Sequence, residues 1–406
     1  MLVLNKQNMI PYLQEHYPQF HVTDSLTISE IGDNEEDNPG LINHIFRVSS
    51  GTQSMIVKQG LEQIRIGGGY HLPPARNRQE YLSLRLRSGM VSQYIPKVYG
   101  SDYRNNIFCM EDVSYLSNAR VELSKGVMFP NLARQCAEYI AASTFYTSEF
   151  YLDTPTFRAL STAFTNTEMR RVMEQWVFLR ESPFPDSPVT GWLRQAIAED
   201  DEMMAEMYQL RHQFMSRPEA MIHADLHTSN IFLDDQNFKV IDMEYTFAGH
   251  ICYDVGYFTN SILTQFAASW MRPFPSEEQR RAFQVYLLST IVDTYHYFVS
   301  FLKEYWERDA KKCYRKCLPW RDKLIAGFLP DILGYAAVPT FPPILSGGES
   351  WLDFTSIPDE DKRLKAKYLA VILSRHLLLN RFKYHTMEEA AEDILKAALN
   401  FLNQLN

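Results

Sequence analysis

One β-rich island, residues 221–244, interrupts a second half that otherwise reads as helix, and it constrains the fold more than any other stretch. It runs His223-Ala224-Asp225-Leu226-His227-Thr228-Ser229-Asn230, then Ile231-Phe232-Leu233, a polar Asp234-Asp235-Gln236-Asn237, and Phe238-Lys239-Val240-Ile241-Asp242-Met243-Glu244. Two apolar runs around such a turn predict a hairpin. Pairing Leu233 with Phe238 sets Asn230 opposite Ile241, one step from Asp242. Asp225 lies five residues before Asn230, on the loop entering the hairpin. Three oxygen-bearing side chains thereby converge at one end, with Glu244 close by.

Such a cluster suits a hard cation. Mg²⁺ takes one or two carboxylates plus an amide oxygen and leaves positions for phosphate oxygens and water. Asn230, Asp242 and Glu244 are the expected metal ligands, and Asp225 is left to orient a hydroxyl and accept its proton. The spacing, H-x-D-x-x-x-x-N with I-D-x-E following, matches the catalytic loop of phosphotransferase kinases. The competing reading is a hairpin whose polar residues only cap and turn. It suits Asp234, Asp235 and Asn237 but explains poorly the four residues at the strand ends. His223 is expected to bond backbone within the loop, and His227 is left undecided. Asp254, ahead of Val255-Gly256, is expected to be buried and to brace the catalytic loop.

The chain before the island supplies the partners this chemistry needs. His44–Val48 and Ser54–Lys58 form a predicted hairpin, Ala75–Arg87 a helix stopping at Gly89, and Asn106–Met110 a strand. Lys58 ends the second hairpin strand and Glu80 lies on the helix, the order required for a cation on nucleotide phosphates fixed by a carboxylate. Met110, Glu111, Asp112 and Val113 are expected to be the hinge whose backbone holds adenine. Helical patterns follow over 131–149, 167–181, 190–215, 277–308 and 386–404, the last opened by a Thr386/Glu389 capping box. The division expected is an N-terminal nucleotide-binding lobe, 1–112, and a C-terminal catalytic and acceptor-binding lobe, 113–406.

These residues resemble the aminoglycoside phosphotransferase and choline kinase superfamily and, within it, the methylthioribose kinase family. The family's H-G-D-L-H-T, I-D-P-E-F and D-I-G segments read here as HADLHT, IDMEY and Asp254-Val255-Gly256. Val57-Lys58-Gln59, Arg76 to Glu80, Met110 to Ser114, Thr147-Ser148-Glu149, Val177-Phe178 and Asp293-Thr294 continue the likeness in family order. It implies an α+β, bilobal, protein-kinase-like fold, with a small antiparallel sheet in the first lobe and a mainly helical second lobe. It also implies ATP-dependent phosphorylation of the 1-hydroxyl of 5-methylthioribose in methionine salvage, with Mg²⁺. Gly32 and Asn43 join Lys58, Glu80 and the hinge as nucleotide-side candidates. The acceptor side departs from the family. Tyr70 or His71 stands near the family's Trp, and Ser374-Arg375-His376 keeps only Arg375 of a pair of arginines. The loop after Gly32 is longer and acidic, with Asp33, Glu35, Glu36 and Asp37. Tyr70, His71, Asp225 and Arg375 are the expected substrate-binding residues. The alternatives are a kinase for another sugar or small alcohol and, more remotely, a nucleotide-binding pseudokinase.

Composition narrows the partners. A net charge of -9 is the wrong sign for phosphate-backbone binding, so no nucleic acid is expected. No run of 18 apolar residues occurs and the first residues lack a secretory pattern, so no membrane span is expected. Five scattered cysteines suit a reducing cytoplasm. Cys313 and Cys317 share a helical spacing but have no second pair with which to hold a metal. ATP and a small sugar or alcohol are the expected partners, and a homodimer is left open.

Overall fold

The structure is a computed structural model, and it describes residues 2–17, 26–31, 43–51, 53–63, 71–178, 197, 199–345 and 354–405. The expected hairpin of the first lobe is the centre of a five-stranded antiparallel sheet. Its strands are β1 (Thr27–Glu30), β2 (His44–Ser50), β3 (Gln53–Gln59), β4 (Val98–Asp102) and β5 (Ile107–Glu111), in the order β1-β2-β3-β5-β4. β3 is the central strand, with Val57 opposite both Phe46 and Cys109, so its last residues are buried. The Met9–His16 helix covers one face through Met9, Tyr12 and Leu13, which pack with Phe46, Val48, Val57 and Cys109. The Arg76–Arg87 helix takes up the connection between β3 and β4. Where it begins, Gly60 leaves no room for a side chain: a Cβ there would stand 2.7 Å from the Pro74 carbonyl.

The second lobe is helical around small β elements. The island forms the hairpin β8 (Ile231–Leu233) and β9 (Phe238–Val240), in the predicted register Leu233↔Phe238. Asp234 closes the turn, accepting from the backbone N–H groups of Gln236 and Asn237. A short strand, β6 (Ser117–Asn118), adds to β8, and β7 (Ala220–Ile222) pairs antiparallel with β10 (Phe247–Gly249). The predicted helices appear as Leu132–Phe145, Thr167–Met173, Asp201–Ser216, Glu277–Asp309 and Met387–Leu405, while residues 179–181, 190–196 and 198 of the expected spans lie outside the described residues. At the last, Thr386 Oγ1 accepts from Glu389 N–H as expected. The reciprocal bond goes elsewhere: the Glu389 carboxylate accepts from His385 N–H, one residue outside the box.

Sequence periodicity missed the Tyr253–Ser269 helix, and the reason is physical. All its residues are buried, so it has no polar face and no amphipathic period. It is packed by the Glu277–Asp309, Phe328–Ala337 and Glu360–Asn380 helices. A Cβ on Gly256 would lie 2.4 Å from Tyr335 Cβ, so glycine permits this close crossing. Among the described residues, no helix is long and apolar enough to cross a membrane.

Candidate active site

The catalytic loop hangs between two buried anchors. His223 N–H and Ala224 N–H donate to the two carboxylate oxygens of Asp254, at 2.7 and 2.9 Å, from the first turn of the Tyr253–Ser269 helix. The His223 ring is wholly buried. Its Nε2 lies 3.0 Å from Ile241 O, and its Nδ1 accepts from Asp225 N–H. Burial, aided by the charge of Arg87, lowers its pKa to about 4, so the ring is neutral and structural. Ala224 adopts a left-handed φ of 70°, a conformation that costs an L-residue about 1–2 kcal/mol. The alanine stands where the resembling family has glycine.

This backbone presents Asp225 beside Asn230. Asn230 Nδ2 donates to Asp225 O at 2.9 Å and more weakly to its Oδ2 at 3.4 Å, while His227 Nε2 lies 3.4 Å from the same Oδ2. Oδ2 is therefore held from two sides. Burial pushes the Asp225 carboxyl up, but the charge and hydrogen bond of His227, with His223 and the Tyr257 hydroxyl, hold it below the usual carboxylate range. His227, undecided from sequence, thus belongs to the site as the neighbour that keeps Asp225 ionised. Tyr257 was not foreseen: only the buried helix brings it here.

Asp242 follows β9 and is also left-handed, at φ 64°. Ile241 N–H donates to Asn230 O at 3.0 Å, so the hairpin delivers Asn230 and Asp242 to one end, as the register required. Lys58 Nζ lies 2.6 Å from Glu80 Oε2 and 2.5 Å from Asp242 Oδ1. One ammonium therefore joins the first lobe's strand and helix to the segment that follows β9 in the second lobe. Burial would lower the Lys58 pKa, but Asp242, Glu80 and Glu244 raise it above the ordinary lysine value, so it is charged. Burial raises Glu80, against the pull of Lys58.

Ligand atoms of Glu80, Asp242 and Glu244 lie within 4.8 Å of one another, with the Lys58 ammonium between two of these carboxylates. Glu244 is fully buried, and its Oε1 has no hydrogen-bond partner. Its Oε2 accepts from Asn43 Nδ2 at 2.7 Å and lies 3.5 Å from Arg76 Nε. Asn230 spends its amide nitrogen on Asp225 and keeps its carbonyl oxygen. A set of carboxylate and amide oxygens with an orphaned buried acceptor fits a hard divalent cation such as Mg²⁺.

Other expected residues sit differently. Asn43, assigned to the nucleotide from sequence, bridges Glu244 and Arg76. Arg76, buried and also bonded to Leu61, Leu72 and Pro73 carbonyls, was missed because its partner is 168 positions away. At the hinge, Met110 and Val113 are buried. The Asp112 carboxylate accepts from Arg47, Ser54 and Ser114 N–H, and Glu111 from Tyr115 and Lys97 N–H. These acidic side chains brace the segment, whose backbone is also engaged: Glu111 N–H donates to Lys97 O and Val113 O accepts from Leu116 N–H. Arg375 pairs with Asp200, the N-cap of the Asp201–Ser216 helix, and Ser374 is buried against Thr340. His71 is exposed and bridges to Gln63. Gly32, Tyr70 and the acidic stretch after Gly32 lie outside the described residues.

Comparison with known proteins adds the following. Residues 161–297 match the model of the phosphotransferase enzyme family. A methylthioribose kinase of Geobacillus thermodenitrificans is 31% identical over 90% of this chain and 89% of its own. One from Bacillus cereus is 28% identical over 92% of each. Among solved structures, an ethanolamine kinase of Plasmodium vivax is 14% identical, with a TM-score of 0.46 over 92% of this chain and 89% of that one.

Proposed function

The chain belongs to the methylthioribose kinase family, and on that premise we propose that it transfers the γ-phosphoryl group of ATP to the 1-hydroxyl of 5-methylthioribose. The observation that carries this reading is the meeting of Asp225, Asn230, Asp242 and Lys58 from three separate segments at one place. Asp225 accepts the hydroxyl proton as the acceptor oxygen bonds to the γ-phosphorus. The bond between that phosphorus and the β,γ-bridging oxygen breaks, and ADP leaves. A base so placed contributes about 10²–10⁴-fold. Lys58, fixed by Glu80, holds the nucleotide phosphates, and the Met110–Val113 backbone holds adenine. Asn230, Asp242 and Glu244 would hold Mg²⁺, which neutralises charge on the phosphates when bound. In this reading residues 1–112 are the nucleotide lobe, residues 113–406 carry catalysis and the acceptor, and the enzyme works in the cytoplasm. All five cysteines are free, in keeping with a reducing compartment.

One observation favours a second acceptor. Ser374 replaces one of the family's two arginines, and Arg375 is already engaged by Asp200. Another sugar or small alcohol is therefore the alternative substrate. The test is ADP release with Mg²⁺ and ATP against 5-methylthioribose and a panel of sugars and small alcohols. Asp225→Asn serves as control and should bind ATP but lose turnover. Phosphorylation of a different alcohol alone would replace the acceptor. Nucleotide binding with no turnover on any acceptor would overturn the kinase reading.

A further inference from the structure

The far end of the β7–β10 ladder carries a feature that phosphoryl transfer does not use. The Ile222 end of β7 runs into the catalytic loop, while its Ala220 end pairs with Gly249 and leads to Glu219 and His250. At three residues of strand, the two ends are roughly 7 Å apart. Beside the far end opens a cavity of about 320 Å³, lined by Arg217, Trp320, Lys323, Leu324, Phe328 and Asp331.

Its chemistry is that of an anion site with an apolar wall. Trp320 is 38% exposed and stacks on Tyr314, with ring centroids 5.4 Å apart. Leu324 extends the apolar surface, over the buried Phe328. Lys323 is exposed, and among the described residues no carboxylate is paired with it. Arg217 lies 2.7 Å from Glu219 and 3.1 Å from Asp331. The Asp331 carboxylate does not make the cavity a cation site. Arg217 already sits on it, His250 Nε2 is 3.3 Å away and Arg381 3.7 Å. For the same reason His250, Cys252 and Asp331, whose ligand atoms fall within 4.8 Å, are a poor metal centre: two guanidinium groups occupy that environment.

The surrounding sequence points the same way. Residues 311–323 carry six basic residues, Lys311, Lys312, Arg315, Lys316, Arg321 and Lys323, against the single Asp322, in a chain of net charge -9. A local field of that sign gathers anions. A merely solvated basic face would not place an unpaired ammonium and an open indole on the same hole.

We propose that this cavity binds a small planar anion: one ring carrying a phosphate or carboxylate, the ring against Trp320, Leu324 and Phe328, the charge on Lys323 and Arg217. The volume lies at the small end of ligand pockets, roughly 300–1,000 Å³, which admits one ring and its acidic group. This site is independent of the acceptor identity proposed above.

Pyridoxal 5′-phosphate is a suitable probe because it joins a ring, a phosphate and an aldehyde. In the full-length protein with Mg²⁺ and ATP shielding Lys58, the probe's phosphate would rest on Arg217 while the Lys323 ammonium loses its proton to solvent, and the free amine would add to the aldehyde carbon and lose water to form an imine. Borohydride would then deliver hydride to give a stable secondary amine, located by peptide mapping. At equimolar probe the label should favour Lys323 over Lys311, Lys312 and Lys316 by roughly tenfold, the factor that one charge-assisted contact supplies. Phenyl phosphate should compete, and Trp320→Ala should remove the preference. Phenyl phosphate binding measured by calorimetry should be lost in Lys323→Gln, a surface change that leaves the fold intact. Label spread evenly over the four lysines, or a Lys323 label indifferent to Trp320→Ala, would overturn the site.

Discussion

Removing the Asp254 carboxylate is the sharpest test of how this chain holds its catalytic loop. In Asp254→Ala, the N–H groups of His223 and Ala224 lose their acceptors in a place with no access for water. Each orphaned amide costs about 1–3 kcal/mol, so the loss of stability is about 2–6 kcal/mol. Over 406 residues, at roughly 2.1 cal/mol/K per residue, that is a fall in Tm of about 2–7 °C. Activity should suffer more than stability. The two amides hold Ala224 in its left-handed conformation, and without them the loop can relax and carry Asp225 out of line. Displacing a reacting group by about 1 Å costs about 10²-fold. The assay is kcat and the KM for ATP by coupled ADP release, with thermal unfolding alongside. A kcat about 10²-fold lower with an unchanged KM for ATP is expected. Asp254→Asn, which keeps one acceptor, should fall between. A variant with lowered Tm but wild-type kcat would refute the reasoning, because the loop would then keep its shape without the brace.

Three further outcomes follow from the same geometry. Asp242→Ala should weaken nucleotide binding in Mg²⁺ far more than without it, and a titration showing equal Mg²⁺ dependence in both proteins would remove Asp242 from the metal site. Arg375→Ala should raise the acceptor KM and leave the ATP KM unchanged, whereas Asp200→Asn frees Arg375 and should not; if both variants only lower Tm, the pair is structural. Burial holds the His223 pKa at about 4, below its ordinary 6.5, so the stability tied to the neutral ring is complete above pH 6.5 and drains as pH falls through about 4. It amounts to at most about 3 kcal/mol. Burial raises Asp254 from 3.8 to about 6, which gives the opposite slope: its contribution is complete below pH 3.8 and lost as pH rises through about 6. Urea unfolding of wild type and His223→Gln at pH 7.5 and 4.5 isolates the histidine, and a constant difference between the two proteins would contradict its burial as a neutral ring.

The parts of the site legible in the sequence were those set by local rules. Two apolar runs around a polar turn set the register of β8 and β9, and with it the meeting of Asn230 and Asp242. The hairpin-then-helix order anticipated the Lys58–Glu80 pair. The bracing role of Asp254 was expected, although the helix that carries it was not, because burial on every side erases the period that reveals a helix. The contacts of Asn43, Arg76 and Arg375 were not legible, since each joins segments far apart in the chain and no local pattern encodes which carboxylate a cation will find. Asn43 shows the consequence: its bond to Glu244, 201 positions on, has no local signature.

The complete burial of the Tyr253–Ser269 helix sets the order in which the molecule can come apart. Amide hydrogens in such an element exchange with solvent only through the largest openings, and those of His223 and Ala224, tied to its first turn, should share that slow exchange. The phosphoryl-transfer loop therefore stays in register until the whole lobe opens.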